Sequence, residues 1–122
     1  MKAGAGIKTI AIKVCEEDFD EKRALALNIL NGVEVYTEPG LSVFRLQDGC
    51  LMHLYGPGSS YPPYLFEKNK TVLSFQVKDI EKAIASAKCA GMEIISEIQK
   101  LGICISYCYL RDKKGTIFGL TN

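Results

Sequence analysis

Thr71-Val72-Leu73-Ser74-Phe75-Gln76-Val77-Lys78-Asp79-Ile80-Glu81-Lys82-Ala83 is the stretch on which the reading of this chain turns. Its first seven residues form an alternating run, with Leu73, Phe75 and Val77 on one side and Val72, Ser74 and Gln76 on the other, the period of a strand. Asp79 stands where a helix cap belongs, and Ile80, Ala83, Ile84 and Ala87 then share one helical face while Glu81, Lys82 and Lys88 lie off it. Gly91 closes the helix and Met92 to Ile95 runs on as a strand. Gly102 to Leu110 reads as another strand and Thr116 to Asn122 as the last, folded together about a Lys113-Lys114-Gly115 turn. Residues 71–122 are therefore predicted to run strand, helix, strand, strand, strand.

Working backward, Ile7 to Tyr55 is a weaker copy of the same order. Ile7 to Val14 is a strand with Ile10, Ile12 and Val14 on one face and Thr9, Ala11 and Lys13 on the other. Cys15-Glu16-Glu17-Asp18 opens a helix that Asp18 or Asp20 is expected to cap. Phe19, Ala26, Leu27 and Leu30 are its expected packing face, and Asn31-Gly32 its end. Val33 to Thr37, a Pro39-Gly40 turn, Leu41 to Leu46, an Asp48-Gly49 hairpin and Cys50 to Tyr55 complete the copy. Between the copies, residues 56–70 hold Gly56-Pro57-Gly58-Ser59-Ser60 and Pro62-Pro63, a linker by composition. Its aromatics, Tyr61, Tyr64 and Phe66, imply packing: the plain reading is a crossover pinned on the core, the alternative a lid over a pocket.

Composition narrows the function. The 122 residues suit one compact domain, or two small half-modules sharing a core, with 48% hydrophobic and 24% charged residues and a net charge of +1. No basic block marks nucleic-acid binding, and no apolar run is long enough to cross a membrane. Residues 1–6 do not read as a secretory signal. Cys15, Cys50, Cys89, Cys104 and Cys108 are odd in number and contain no CxxC, so a reduced cytoplasmic setting is expected, with all five behaving as small buried apolar residues. Cys104 and Cys108 are expected on one face of a strand.

Three motifs in order give the chain a wider context. Phe75-Gln76-Val77-Lys78-Asp79-Ile80-Glu81-Lys82-Ala83, Ala90-Gly91-Met92-Glu93-Ile94 and Leu110-Arg111-Asp112-Lys113-Lys114-Gly115-Thr116-Ile117-Phe118 resemble the vicinal oxygen chelate superfamily, with Lys113 where Pro is usual. Glyoxalase I, extradiol dioxygenases and the bleomycin and fosfomycin resistance proteins belong to it. The resemblance implies an α+β fold in which two βαβββ repeats, about 7–55 and 71–122, form facing curved mixed sheets around a cleft in a single domain of residues 1–122. It also implies a homodimer, possible by exchange of halves between chains.

The resemblance places the superfamily's divalent-metal ligands at Thr9, His53, Val72 and Gly119. Only His53 is an ordinary ligand there, because Val72 has no donor atom, Gly119 no side chain, and Thr9 only a neutral hydroxyl. No metal or other cofactor is therefore expected. Strand alternation assigns Thr9, Lys13, His53, Tyr55, Val72, Ser74, Gln76 and Gly119 to a ligand-binding cleft, joined by Ala11, Leu51 and Ile117. Lys13 and Arg45 offer charge to an anionic group or serve as solvated rim residues. His53 is read either as a cleft-wall residue bonded to a neighbour or as a base or ligand contact; no catalytic residue is assigned. The expected function is a metal-free small-molecule-binding protein of the sequestering kind, with no nucleic-acid or membrane partner. The alternatives are a divalent-metal-dependent lyase, isomerase or dioxygenase and a structural or regulatory dimer with a closed cleft.

Overall fold

The computed structural model describes residues 6–103 and 105–122. The described chain divides into two compact units, one of Thr9–Val72 and one of Leu73–Asn122 together with residues 6–8.

In the first unit the elements are β1 (Ile7–Lys13, whose first two residues belong to the other unit), α1 (Glu16–Ala24), β2 (Val33–Glu38), β3 (Leu41–Arg45) and β4 (Leu51–Tyr55). β2 pairs antiparallel with β3, β3 antiparallel with β4, and β4 parallel with β1. Alternation separates the sheet's two faces. Ile12, Val14, Phe44, Met52 and Leu54 lie on the helix side and pack with Phe19, Ala26 and Leu27. Phe44 and Leu54 are fully buried there, and apolar burial of this kind is the main stabilising term.

The helical segment departs from expectation in three places. Its N-cap is Cys15 rather than Asp18 or Asp20, with no side-chain cap; the acidic residues Glu16, Glu17 and Asp18 fall inside the first turn. After Ala24 the helix widens into a π-helical turn over Leu25–Ile29, which moves Leu30 off the packing face and leaves it exposed. The left-handed residue at the end is Asn31, with φ 53°, and Gly32 follows it with its N–H on the Ala26 carbonyl at 2.8 Å. Asn tolerates that conformation because its short polar side chain bonds locally.

The second unit contains β5 (Thr71–Gln76, whose first two residues belong to the other unit), α2 (Ile80–Cys89), β6 (Glu93–Ile94), β7 (Gln99–Leu101), β8 (Ile105–Arg111) and β9 (Ile117–Thr121). β5 is parallel to β9, and β9 and β6 are each antiparallel to β8. This repeats the pairing of the first unit. Asp79 caps α2 as expected, its carboxylate accepting from the N–H groups of Glu81 and Lys82 at 3.1 Å. Ile80, Cys108, Leu110 and Leu120 form the core under the helix. The closing turn is held by Asp112, whose Oδ1 accepts from the N–H groups of Lys114 and Thr116, with Gly115 left-handed at φ 92°.

The expected strand Gly102–Leu110 is found as β8 but begins only at Ile105, and an unforeseen short strand, β7, precedes it. A left-handed Gly102 turns the chain, so β7 folds back on β8 as a small hairpin. Cys104, and with it the expected sharing of a face with Cys108, lies outside the described residues. The expectation of uniformly buried cysteines is also corrected. Cys50 and Cys108 are buried, whereas Cys15 sits at a helix start and Cys89 at a helix end, both exposed.

Residues 56–70 form a packed crossover. Leu65 is 2% exposed, and turns close between Pro62 and Leu65 and between Tyr64 and Glu67. Gly56 donates to the Gly40 carbonyl at 2.6 Å, and a Cβ on Gly40 would come within 2.5 Å of the Ser59 nitrogen. The Pro39-Gly40 turn and the 56–59 loop thus lie backbone against backbone, an approach only glycine permits.

Candidate functional site

On the face of the first unit's sheet away from α1, register sets the neighbours. Thr9 lies opposite Leu51, Ala11 opposite His53 and Lys13 opposite Tyr55 on β1 and β4; Val43 of β3 flanks His53 on the other side. The alternation read from sequence is therefore the one found. Tyr55 stacks with His53 at 6.1 Å between ring centroids and 15° between planes. Tyr61 and Phe66 of the crossover meet Tyr55 edge-on at 5.7 Å and each other at 5.0 Å.

His53 is the distinctive group on this face. Its Nε2 is buried and has no hydrogen-bond partner among the described residues. Burial pushes the imidazole below its ordinary value of 6.5, because the charged form loses hydration and gains no compensating carboxylate. A buried polar atom without a partner costs about 1–3 kcal/mol, and such atoms are few in native folds. The described residues thus supply no bond at this nitrogen to the Tyr or backbone group that the wall reading of His53 asked for.

In the second unit, Ser74 pairs with Gly119 and Gln76 with Thr121, while Tyr109 and Ile117 neighbour them on the same face. The relation of Ser74 to Gly119 is that of Ala11 to His53, and Val72 precedes Ser74 as Thr9 precedes Ala11. Thr9 with His53, and Val72 with Gly119, thus occupy corresponding positions of the two repeats.

Whether these residues suit a divalent ion is a question of donors. A Cβ built on Gly119 would collide with the Ser74 Oγ and lie 3.2 Å from the Tyr109 ring. The space a ligand side chain would use at 119 is filled. Val72 is 2% exposed and purely apolar. No group of three or more His, Cys, Asp and Glu residues comes together among the described residues. Glu34 and Glu93 are engaged elsewhere, with Arg23 at 2.6 Å and Arg111 at 3.0 Å. One imidazole and one neutral hydroxyl do not make a transition-metal site of the superfamily's kind.

Two βαβββ units, each with its helix on one sheet face and a parallel pair joining first and last strands, define the class: this is the fold of the vicinal oxygen chelate superfamily. Among solved structures, methylmalonyl-CoA epimerase from Mycobacterium tuberculosis matches with a TM-score of 0.67 at 15% identity, over 99% of this chain and 90% of that one. A glyoxalase/bleomycin resistance protein/dioxygenase superfamily member from Vibrio splendidus 12B01 matches with a TM-score of 0.62 at 13% identity, over 95% and 98%. The Mn(II)-bound glyoxalase from Novosphingobium aromaticivorans gives a TM-score of 0.72 at 14% identity over 99% of this chain and 40% of that one. No family model and no curated protein matches the sequence. At these identities the likeness is one of fold. Among the described residues no helix is long and apolar enough to cross a membrane.

Proposed function

We propose that this chain is a metal-free small-molecule-binding protein, a sequestering rather than a catalytic member of its fold class. The observation that carries the reading is the buried, unpartnered Nε2 of His53. A neutral imidazole nitrogen left without a partner is what a bound molecule's hydrogen-bonding group would satisfy. The surroundings suit an organic ligand: the Tyr55 ring stacks on His53, and Ala11 and Val43 flank it in the sheet. Against catalysis stands the lack of a carboxylate or nucleophile hydrogen-bonded to His53 among the described residues, so nothing orients it as a base. Ser74, Gln76 and Gly119 hold the corresponding face of the other repeat. Self-association and a cytoplasmic location belong to the same reading and rest on the fold class and on the cysteine composition.

The test is a melting screen of the purified full chain against small organic molecules, repeated with His53→Leu. Binding to the native state raises the transition, by an amount that grows with the logarithm of ligand concentration once this exceeds Kd. The reading expects hits whose shift is lost in the variant. Hits unaffected by His53→Leu would remove this face as the site. A screen without any hit would favour the structural-dimer alternative, which light scattering on the same sample would then show as a stable pair.

A further inference from the structure

Beyond the ends of β1 and β4 the first unit contains a cavity that shares Lys13 and Tyr55 with the His53 face but not His53 itself. It measures about 340 Å³ and is walled by Lys13, Lys70, Tyr55, Tyr61 and the 56–59 loop. That volume is at the lower end of small-ligand sites, enough for a single ring with one substituent.

Its charge is one-sided. Lys13 and Lys70 both line it, and no Asp or Glu is among the lining residues. Neither lysine enters an ion pair among the described residues, although the chain offers nearly as many acidic as basic side chains, 14 against 15. The two are tied at the backbone, the Lys13 N–H donating to the Lys70 carbonyl at 2.7 Å, so their side chains start from adjacent points. Lys13 Nζ is placed 5.7 Å from the centre of the Tyr61 ring, a favourable position for an ammonium over a π face.

The walls are also fixed. Tyr61 is wedged edge-on between Tyr55 and Phe66, and the 56–59 loop is held by the Gly56–Gly40 contact and by Ser59 Oγ donating to the Gly56 carbonyl at 2.6 Å. A rigid aromatic wall beside two ammonium groups loses little entropy when it takes up a flat anion. A cationic ligand would meet two like charges.

We propose that this cavity binds a small aromatic anion, with its carboxylate or phosphate between Lys13 and Lys70 and its ring against Tyr55 and Tyr61. The inference stands apart from the role given to His53, which does not line the cavity.

The experiment is calorimetric titration of the full chain with phenyl phosphate, benzoate and phenol, in the wild type and in Lys13→Gln and Lys70→Gln. Both lysines are exposed, so both variants fold. At least one of the two anions is expected to bind more tightly than phenol, and each substitution to weaken that anion by about fivefold while leaving phenol unchanged. Preference for phenyl phosphate or for benzoate then assigns the headgroup. Raising the salt concentration weakens the anion only. Phenol binding as well as the anions, anion binding untouched by both substitutions, or no binding of either anion would each overturn the proposal.

Discussion

Gly119 is the residue whose surroundings the sequence described least. Its missing side chain was visible in the sequence, but what fills the space was not: the Ser74 hydroxyl occupies it, and cross-strand register alone decides that. Gly119→Ala is expected to cost about 1–3 kcal/mol in urea unfolding, as overpacking does. In a Ser74→Gly background the same change should cost less than about 1 kcal/mol, because the two sites share one volume. Additive costs would show that the collision is not the cause. At His53 the expectation concerns pH. Burial holds its folded pKa below 6.5, so between 6.5 and that lower value the unfolded chain binds a proton that the native chain does not. Stability therefore falls as pH drops through this window and is unaffected by this group above about 7. His53→Leu should flatten that part of the profile and be as stable as wild type at pH 8, or more so by up to about 1 kcal/mol. An unchanged profile would place the acid sensitivity elsewhere. The cysteines differ in the same residue-level way. Among the described cysteines, alkylation followed by mass spectrometry should label Cys89 first. Cys15 should be slower, since hydrogen bonding to the Glu17 carboxylate and then to Asp18 raises its thiol, and Cys50 and Cys108 should react only on unfolding.

At the scale of elements, the two helices show how far local chemistry was legible. Asp79 reads as a cap and is one, because a carboxylate one residue before an apolar face has few better uses than the exposed N–H groups of the first turn. At the first helix the sequence offers Asp18 and Asp20 for the same task, yet the helix begins earlier and leaves Cys15 as cap. The docking of Phe19, Ala26 and Leu27 on the sheet sets the start of that helix, overriding cap preference. Asp79→Ala should therefore cost about 1 kcal/mol, while Cys15→Ser should gain about 0.5–1 kcal/mol by supplying the missing oxygen acceptor; thermal melts of both variants check this. The β7 hairpin was missed because Gly102 was read as the start of a strand rather than as its left-handed turn. Nor does periodicity foresee the π-helical turn, which displaces Leu30 by inserting extra backbone into a face that otherwise looks continuous. The crossover's aromatics were correctly read as packed, but Leu65, buried within a stretch of sequence rich in Pro and Tyr, gave no periodic signal at all.

For the whole molecule, the repeat is the most informative feature. A strand-helix start, a left-handed glycine or asparagine after each helix and tight turns before the last strands are local signals, and their order was enough to read the architecture. Register then made Thr9 with His53, and Val72 with Gly119, corresponding pairs, which alternation alone supports but cannot fix across strands. The orphaned nitrogen of His53 and the Lys13–Lys70 cavity lay beyond the sequence for a different reason. Both depend on what is absent from a neighbourhood, and residue spacing along one chain does not describe neighbourhoods. The proposal for this fold is that it binds small molecules without a metal. The single imidazole of this chain makes that claim directly measurable. His53 is the only histidine, so its ring protons give one resolvable set of NMR lines that Mn(II) would broaden if it bound there. Titration of the full chain with Mn(II) to one equivalent is predicted to leave those lines sharp. Selective broadening of the His53 lines at stoichiometric Mn(II), with the remainder of the spectrum intact, would contradict the account.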